Sequence, residues 1–151
     1  MIYLDTSAFV KLYILEPESE SLQAFIASQD HPLPVWDIIE AEFCNALRLK
    51  VFWNELTEAQ ADGQIEHYER RKQSGQYFVP DVSRSSIMSS FHALSRETPR
   101  LGCRTMDILH VAFALQIDAQ SFVSYDERQR TLAKHAGLQV WPGAFRNTIL
   151  D

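Results

Sequence analysis

Short apolar segments alternate with helix-forming stretches along the whole chain, and that alternation is the tightest limit on its fold. Strand candidates are 1–4, 34–36, 77–79, 121–124 and 138–140, all brief and mostly apolar, as strands buried on both faces are. Helical patterns over 6–15, 18–28, 38–53, 58–74, 84–97, 105–117 and 127–136 separate them. Strands joined by right-handed helical crossovers give an α/β class, specifically a three-layer α/β/α sandwich around a short-stranded, mainly parallel central sheet. Local chemistry supports several helix ends: Thr57 with Gln60 forms a capping box, Ser83 precedes a helix, Asp126 with Gln129 supplies a cap and its polar partner, and Gly137 ends the last helix.

The 151 residues suit one domain, 1–151, and 46% hydrophobic content is enough for a full core. Five glycines and six prolines, with no repeat or Gly/Ser linker, predict a densely structured chain without an internal boundary. A net charge of −6 excludes a protein coated in positive charge, although an enzyme acting on nucleic acid needs only a basic rim around its site. Cys44 and Cys103 lack the spacing of a zinc site or a disulfide framework, so a reducing, cytoplasmic setting is expected. No stretch reads as an export signal or a membrane span, and no membrane association is expected.

Four acids stand at element boundaries. Asp5 follows the first strand, where an open parallel sheet presents its ligand-binding crevice. Asp126 follows the fourth strand, and Asp107 falls in the first turn of a helix, where the dipole favours an acid. Glu42 sits on a mostly apolar stripe with Ile38, Ile39, Asn45 and Ala46, while Glu40 is its rival on the same helix. Each acid alone has a structural explanation as a cap or a surface residue. Together they fall where one crevice at the sheet's C-terminal edge gathers all four, and four carboxylates packed there would repel strongly without a cation. Mg²⁺ or Mn²⁺ answers that conflict, since both prefer oxygen ligands and combine a few carboxylates with water and phosphate oxygens. The implied chemistry is metal-assisted hydrolysis of a phosphodiester.

At this point the sequence resembles the PIN-domain ribonucleases, and within them the VapC-like toxins of toxin–antitoxin systems. Ile2-Tyr3-Leu4-Asp5-Thr6-Ser7-Ala8 is similar to that family's strand followed by D-[TS]-[SN], and Glu42-Phe43-Cys44-Asn45-Ala46-Leu47 to its E-x-x-x-A-L helix. Asp107-Ile108-Leu109-His110-Val111-Ala112 resembles D-x-x-H-x-A, and Phe122-Val123-Ser124-Tyr125-Asp126 the strand ending in [TS]-x-D. The resemblance selects Glu42 over Glu40. It implies a catalytic set of Asp5, Glu42, Asp107 and Asp126, with Asp5 and Asp107 as direct metal ligands and Asp126 acting directly or through water. Ser7 and Ser124 would orient carboxylates or phosphate. The turn before the fourth strand departs from the family's Leu-Gly-Ala type, having Ile117-Asp118-Ala119, and Asp118 is expected to supply the left-handed conformation instead of glycine.

His110, one turn after Asp107, is expected to be a hydrogen-bonded structural imidazole, not a ligand. The segment 66–72 reads as a solvated helix face, with an RNA-steering role for it and for Arg84, Arg100 and Arg104 as the alternative. Phe43, Phe52 and Trp53 fit a core or an interface better than base stacking. The resemblance therefore implies a Mg²⁺- or Mn²⁺-dependent endoribonuclease, a cognate antitoxin, an RNA substrate and a homodimer. A haloacid-dehalogenase-like phosphatase is disfavoured because position 7, where it needs a second acid, is Ser7. A catalytically silent PIN-like module that binds RNA or protein is the remaining alternative.

Overall fold

The computed structural model describes residues 1–29 and 31–143. The chain runs β1 (Ile2–Leu4), α1 (Thr6–Val10), α2 (Ser19–Ala27), β2 (Leu33–Pro34), α3 (Asp37–Phe52), α4 (Glu58–Gln73), β3 (Tyr77–Phe78) and α5 (Arg84–Leu94). A 3-10 turn (Ser95–Glu97), α6 (Thr98–Leu101), α7 (Thr105–Gln116), β4 (Ser121–Val123), α8 (Glu127–His135) and β5 (Gln139–Trp141) follow. The expected span of 1–151 reaches beyond the described residues at its C-terminal end.

All strand pairing among the described residues is parallel, as the alternation of elements predicts. β4 lies between β1 and β5, with Tyr3 opposite Phe122 and Phe122 opposite Val140. A second ladder joins β2 to β3, and β2 packs beside β1. Successive side chains of a strand point to opposite faces, so the complete burial of Ile2, Tyr3 and Leu4 means that both faces of the sheet are covered. Pairing continues past the ends of the central strands: Asp5 N–H donates to Val123 O at 3.0 Å and Ser124 N–H to Trp141 O at 3.2 Å. Asp5 and Ser124 therefore emerge side by side at the C-terminal edge.

Two expected helices are shorter than their periodicity suggests. The first stops at Val10, and the backbone continues in tighter bonds from Leu12 N to Phe9 O and from Tyr13 N to Val10 O. Pro17 cannot extend a helix, and the Lys11 ammonium binds its carbonyl at 2.8 Å, turning the chain back. The helix expected over 84–97 ends at Leu94 because Pro99 lacks an N–H and its ring opposes the carbonyl four residues earlier; the chain restarts as α6, with Pro99 in its first turn. The Thr57–Gln60 capping box and the Ser83 cap form as expected. Asp118 adopts φ 53°, the left-handed turn that its position demanded.

The core on one side is an aromatic cluster. Phe43 of α3 meets Phe9 edge-on at 5.3 Å and Tyr13 at 4.8 Å, and Tyr68 of α4 closes over them. The segment 66–72 is thus not wholly solvated: Tyr68 is buried, Arg71 covers the Tyr13 and Tyr77 rings, and Lys72 binds Glu40. On the other side Tyr3 packs on Phe113 and Phe122, with Trp36 stacked on Phe113 at 4.2 Å. Phe43 is fully buried, so Phe43→Ala is expected to lower the unfolding free energy by about 3–5 kcal/mol. Urea unfolding with a shared m-value measures it; a loss below about 1 kcal/mol would mean that the cluster collapses around the gap.

Candidate active site

Asp5 lies at the turn from β1 into α1 and is 0% exposed. Its Oδ1 accepts the Ala8 N–H at 2.9 Å, capping α1, and the Ser7 hydroxyl at 2.7 Å. Its Oδ2 accepts the Ser124 hydroxyl at 2.6 Å from the neighbouring strand. Two donors fill the lone pairs of Oδ1, whereas Oδ2 keeps one pair. Burial raises the pKa of Asp5, and the hydrogen bonds from Ser124, Ala8 and Ser7 pull it back without cancelling the effect. The Ser7 hydroxyl also accepts the Tyr125 N–H at 2.9 Å, tying the edge of β4 to α1.

A cavity of about 430 Å³ opens beside this edge, lined by Thr6, Glu42, Asp107, His110, Asp126 and Gln129, with Arg104 at its wall. Three of the four expected acids line it directly; Asp5, fully buried at the adjoining turn, is not part of the lining. Glu42, in the second turn of α3, receives the Thr6 hydroxyl and the His110 ring nitrogen Nε2 on Oε2, the latter at 2.7 Å. Burial works to raise its pKa, but the hydrogen bonds from His110 and Thr6 outweigh burial and leave it lowered. Glu40 points elsewhere: its carboxylate takes the Tyr68 hydroxyl at 2.8 Å and the Lys72 ammonium at 2.6 Å, holding α3 to α4.

Asp107 is nearly buried at the start of α7, where Oδ2 accepts the Arg104 N–H at 2.7 Å and Oδ1 the Gln129 amide at 3.3 Å. Asp126 caps α8 by accepting the N–H groups of Arg128 and Gln129 at 2.9 and 3.1 Å on Oδ1 alone. Asp5, Asp107 and Asp126 thus all serve helix starts, and Asp107 and Asp126 still line one cavity with Glu42, so capping and a common site are not exclusive.

Among the described residues, no three His, Cys, Asp or Glu side chains approach closely enough to hold an ion by themselves. The lining nevertheless fits a hydrated hard cation. Glu42, Asp107, Asp126 and Thr6 offer oxygen, and Gln129 Oε1 is buried without a hydrogen-bond partner among the described residues. A small divalent ion that keeps several of its waters suits so loosely gathered a set. A larger groove of about 570 Å³ between Trp36, Val79, Ile87 and Phe113 is mainly apolar, and Asp37 is its one acid, so it lacks this chemistry.

Sequence reasoning missed Gln129 as a partner of Asp107, since its place after Asp126 explained it as a cap residue. It also missed that His110 bridges Tyr3 and Glu42, although its spacing from Asp107 put it on the same helix face. No described helix is long and apolar enough to cross a membrane. Both Cys44 and Cys103 are free thiols.

Comparison with known proteins follows the same outline. Residues 2–135 match the PIN domain family. Ribonuclease VapC46 of Mycobacterium tuberculosis is 28% identical over 141 residues, covering 92% of this chain and 95% of that protein. The crystal structure of Mycobacterium tuberculosis VapC20, described as a sarcin-ricin loop cleaving toxin, superposes with a TM-score of 0.67 at 16% identity over 91% of this chain and 96% of its own. FitAcB from Neisseria gonorrhoeae gives 0.61 at 19% identity over 93% and 96%.

Because its pKa is raised, Asp5 takes up a proton in the folded chain at a higher pH than in the unfolded one, so its ionised form opposes folding above that range. Asp5→Asn removes the charge while keeping an acceptor for Ser7 and Ala8. Its melting temperature relative to wild type should therefore be higher at neutral pH, and the advantage should shrink as pH falls through the raised pKa. Offsets that do not change with pH would show that ionisation of Asp5 has no part in stability.

Proposed function

The chain belongs to the PIN-domain family, and from that premise we propose that it is a metal-dependent endoribonuclease, the toxin of a toxin–antitoxin pair. The observation that carries this reading is the shared cavity: Glu42, Asp107 and Asp126 line it together, beside a buried Asp5 whose oxygens are held by three donors. The names of the two mycobacterial relatives, a ribonuclease and a sarcin-ricin loop cleaving toxin, point the same way.

In this reading Asp5 and Asp107 hold Mg²⁺ or Mn²⁺, Glu42 completes the acidic set, and Asp126 acts directly or through water. The bound ion supplies an activated water and offsets charge at the phosphate. The chain's own groups do the orienting: Ser7 and Ser124 fix Asp5, Gln129 fixes Asp107, and Thr6 and His110 fix Glu42. Arg104, exposed at the cavity wall, would meet a phosphate oxygen of the RNA in this reading.

An antitoxin segment rich in Arg or Lys matches the acidic cavity and the net charge of −6, so a basic inhibitor is the proposed partner. Phe52 and Trp53 at the end of α3, 77% and 57% exposed, offer apolar area for a homodimer contact. A cytoplasmic location completes the reading. One observation favours a non-cleaving RNA- or protein-binding module instead: no three ligands are already gathered among the described residues.

The two readings separate in one set of measurements. The purified chain should cleave RNA with added Mg²⁺ or Mn²⁺ and stop with EDTA, and Asp107→Asn should lose ~100-fold or more in rate. Millimolar Mn²⁺ should raise the melting temperature of wild type and shift the variant much less. Equal metal shifts would place the ion away from Asp107, and metal binding without cleavage would favour the silent module.

A further inference from the structure

His110 is 1% exposed, and both of its ring nitrogens are engaged. Its Nδ1 lies 2.6 Å from the Tyr3 hydroxyl and its Nε2 2.7 Å from Glu42 Oε2. Tyr3 in turn receives the Trp36 indole N–H at 2.9 Å. The direction of this chain follows from the groups in it. An indole nitrogen can only donate, so the Tyr3 oxygen is an acceptor toward Trp36. Tyr3 is 0% exposed, and Nδ1 of His110 is the one acceptor its own hydroxyl hydrogen reaches among the described residues. If Nδ1 carried a proton, two hydrogens would face each other across 2.6 Å and the hydroxyl would be left buried without an acceptor. Nδ1 is therefore bare and Nε2 bears the hydrogen, which it donates to Glu42. The Thr6 hydroxyl donates to the same Oε2, so Oε1 remains without a hydrogen bond among the described residues.

We propose that His110 is a positioning residue for Glu42, locked as the Nε2–H tautomer by a one-way hydrogen-bond chain from Trp36 through Tyr3. The chain fixes which carboxylate oxygen is engaged from behind and leaves the other for the cavity. It rests on Glu42 belonging to the metal-dependent site. It makes β1, α3 and α7 jointly responsible for the pose of one carboxylate, since Tyr3, Trp36 at the start of α3, and His110 each come from a different element.

The test begins without metal or RNA. Nitrogen-15 spectra of the His110 imidazole in metal-free wild type at neutral pH should show a protonated Nε2 and a bare Nδ1. Tyr3→Phe removes the hydroxyl but keeps the ring, and should free Nδ1 to carry a hydrogen, which the Tyr3 contact forbids in wild type. Trp36→Phe, at a partly exposed position, should do the same with less effect on the core. Both variants should bind Mn²⁺ ~10-fold more weakly and lose kcat in similar measure, with KM for RNA little changed. His110→Gln, which keeps an amide donor for Glu42, should retain more Mn²⁺ affinity than His110→Leu. A proton on Nδ1 in wild type, alone or with Nε2, overturns the proposal, as does a tautomer that neither variant changes. Unchanged Mn²⁺ affinity in both variants also overturns it. The tautomer and Mn²⁺ titrations need no turnover, so a wild type without ribonuclease activity would count against the nuclease and leave these two results to decide the role of His110.

Discussion

A carboxylate with no exposure to water has to be supplied with donors by the fold, and Asp5 is that carboxylate. Its donors come from its own helix start and from Ser124 on the adjacent strand, so the parallel register of β1 and β4 is also the geometry that keeps the charge tolerable. Slipping that register by one residue would turn Tyr3 and Phe122 toward the wrong faces and remove the Ser124 hydroxyl together. Core packing and the chemistry of the site are therefore held by one pairing, and neither can be disturbed without the other.

The remaining acids show how a cavity collects charge without collapsing. Asp107 and Asp126 satisfy helix N–H groups, Glu42 is matched by Thr6 and His110, and each leaves an oxygen or a lone pair directed at shared space. Helix starts are suited to this because their unpaired N–H groups and positive dipole ends stabilise a carboxylate before any cation arrives. A set of acids held this way is loosely gathered, with no three of them close enough to hold an ion by themselves among the described residues.

Much of this was legible in the sequence because strands and helices that alternate leave few topologies, and because acids at strand ends fall on one sheet edge whatever the details of packing. Asp5 and Asp126 follow strands and could be placed by that rule, whereas Asp107 was placed by its position in the first turn of a helix. Glu42 could not be separated from Glu40 by periodicity, because the two differ by two positions on one helix and Glu40 is spoken for by Tyr68 and Lys72, residues of another element. The end of α5 misled for a related reason, since Pro99 acts four residues back from the apolar pattern that defines the helix, and α1 tightens into turns after Val10 that its apolar pattern does not show. The hydrogen-bond chain through Tyr3 and His110 was out of reach, since its members are 107 residues apart and read locally as core aromatics and a buried imidazole.

Every ladder among the described residues is parallel, and one joins β1 to β4, with Asp5 and Ser124 separated by 119 positions. During synthesis at roughly 5–20 residues per second, β1 leaves the ribosome on the order of ten seconds before its partner exists. A chain stopped anywhere before residue 121 has no β4 to pair with, no Ser124 to bond the first carboxylate and no Asp126 at the cavity. Assembly of the acidic cavity thus waits for residue 126, and until then the ribosome that makes the chain works beside an incomplete one.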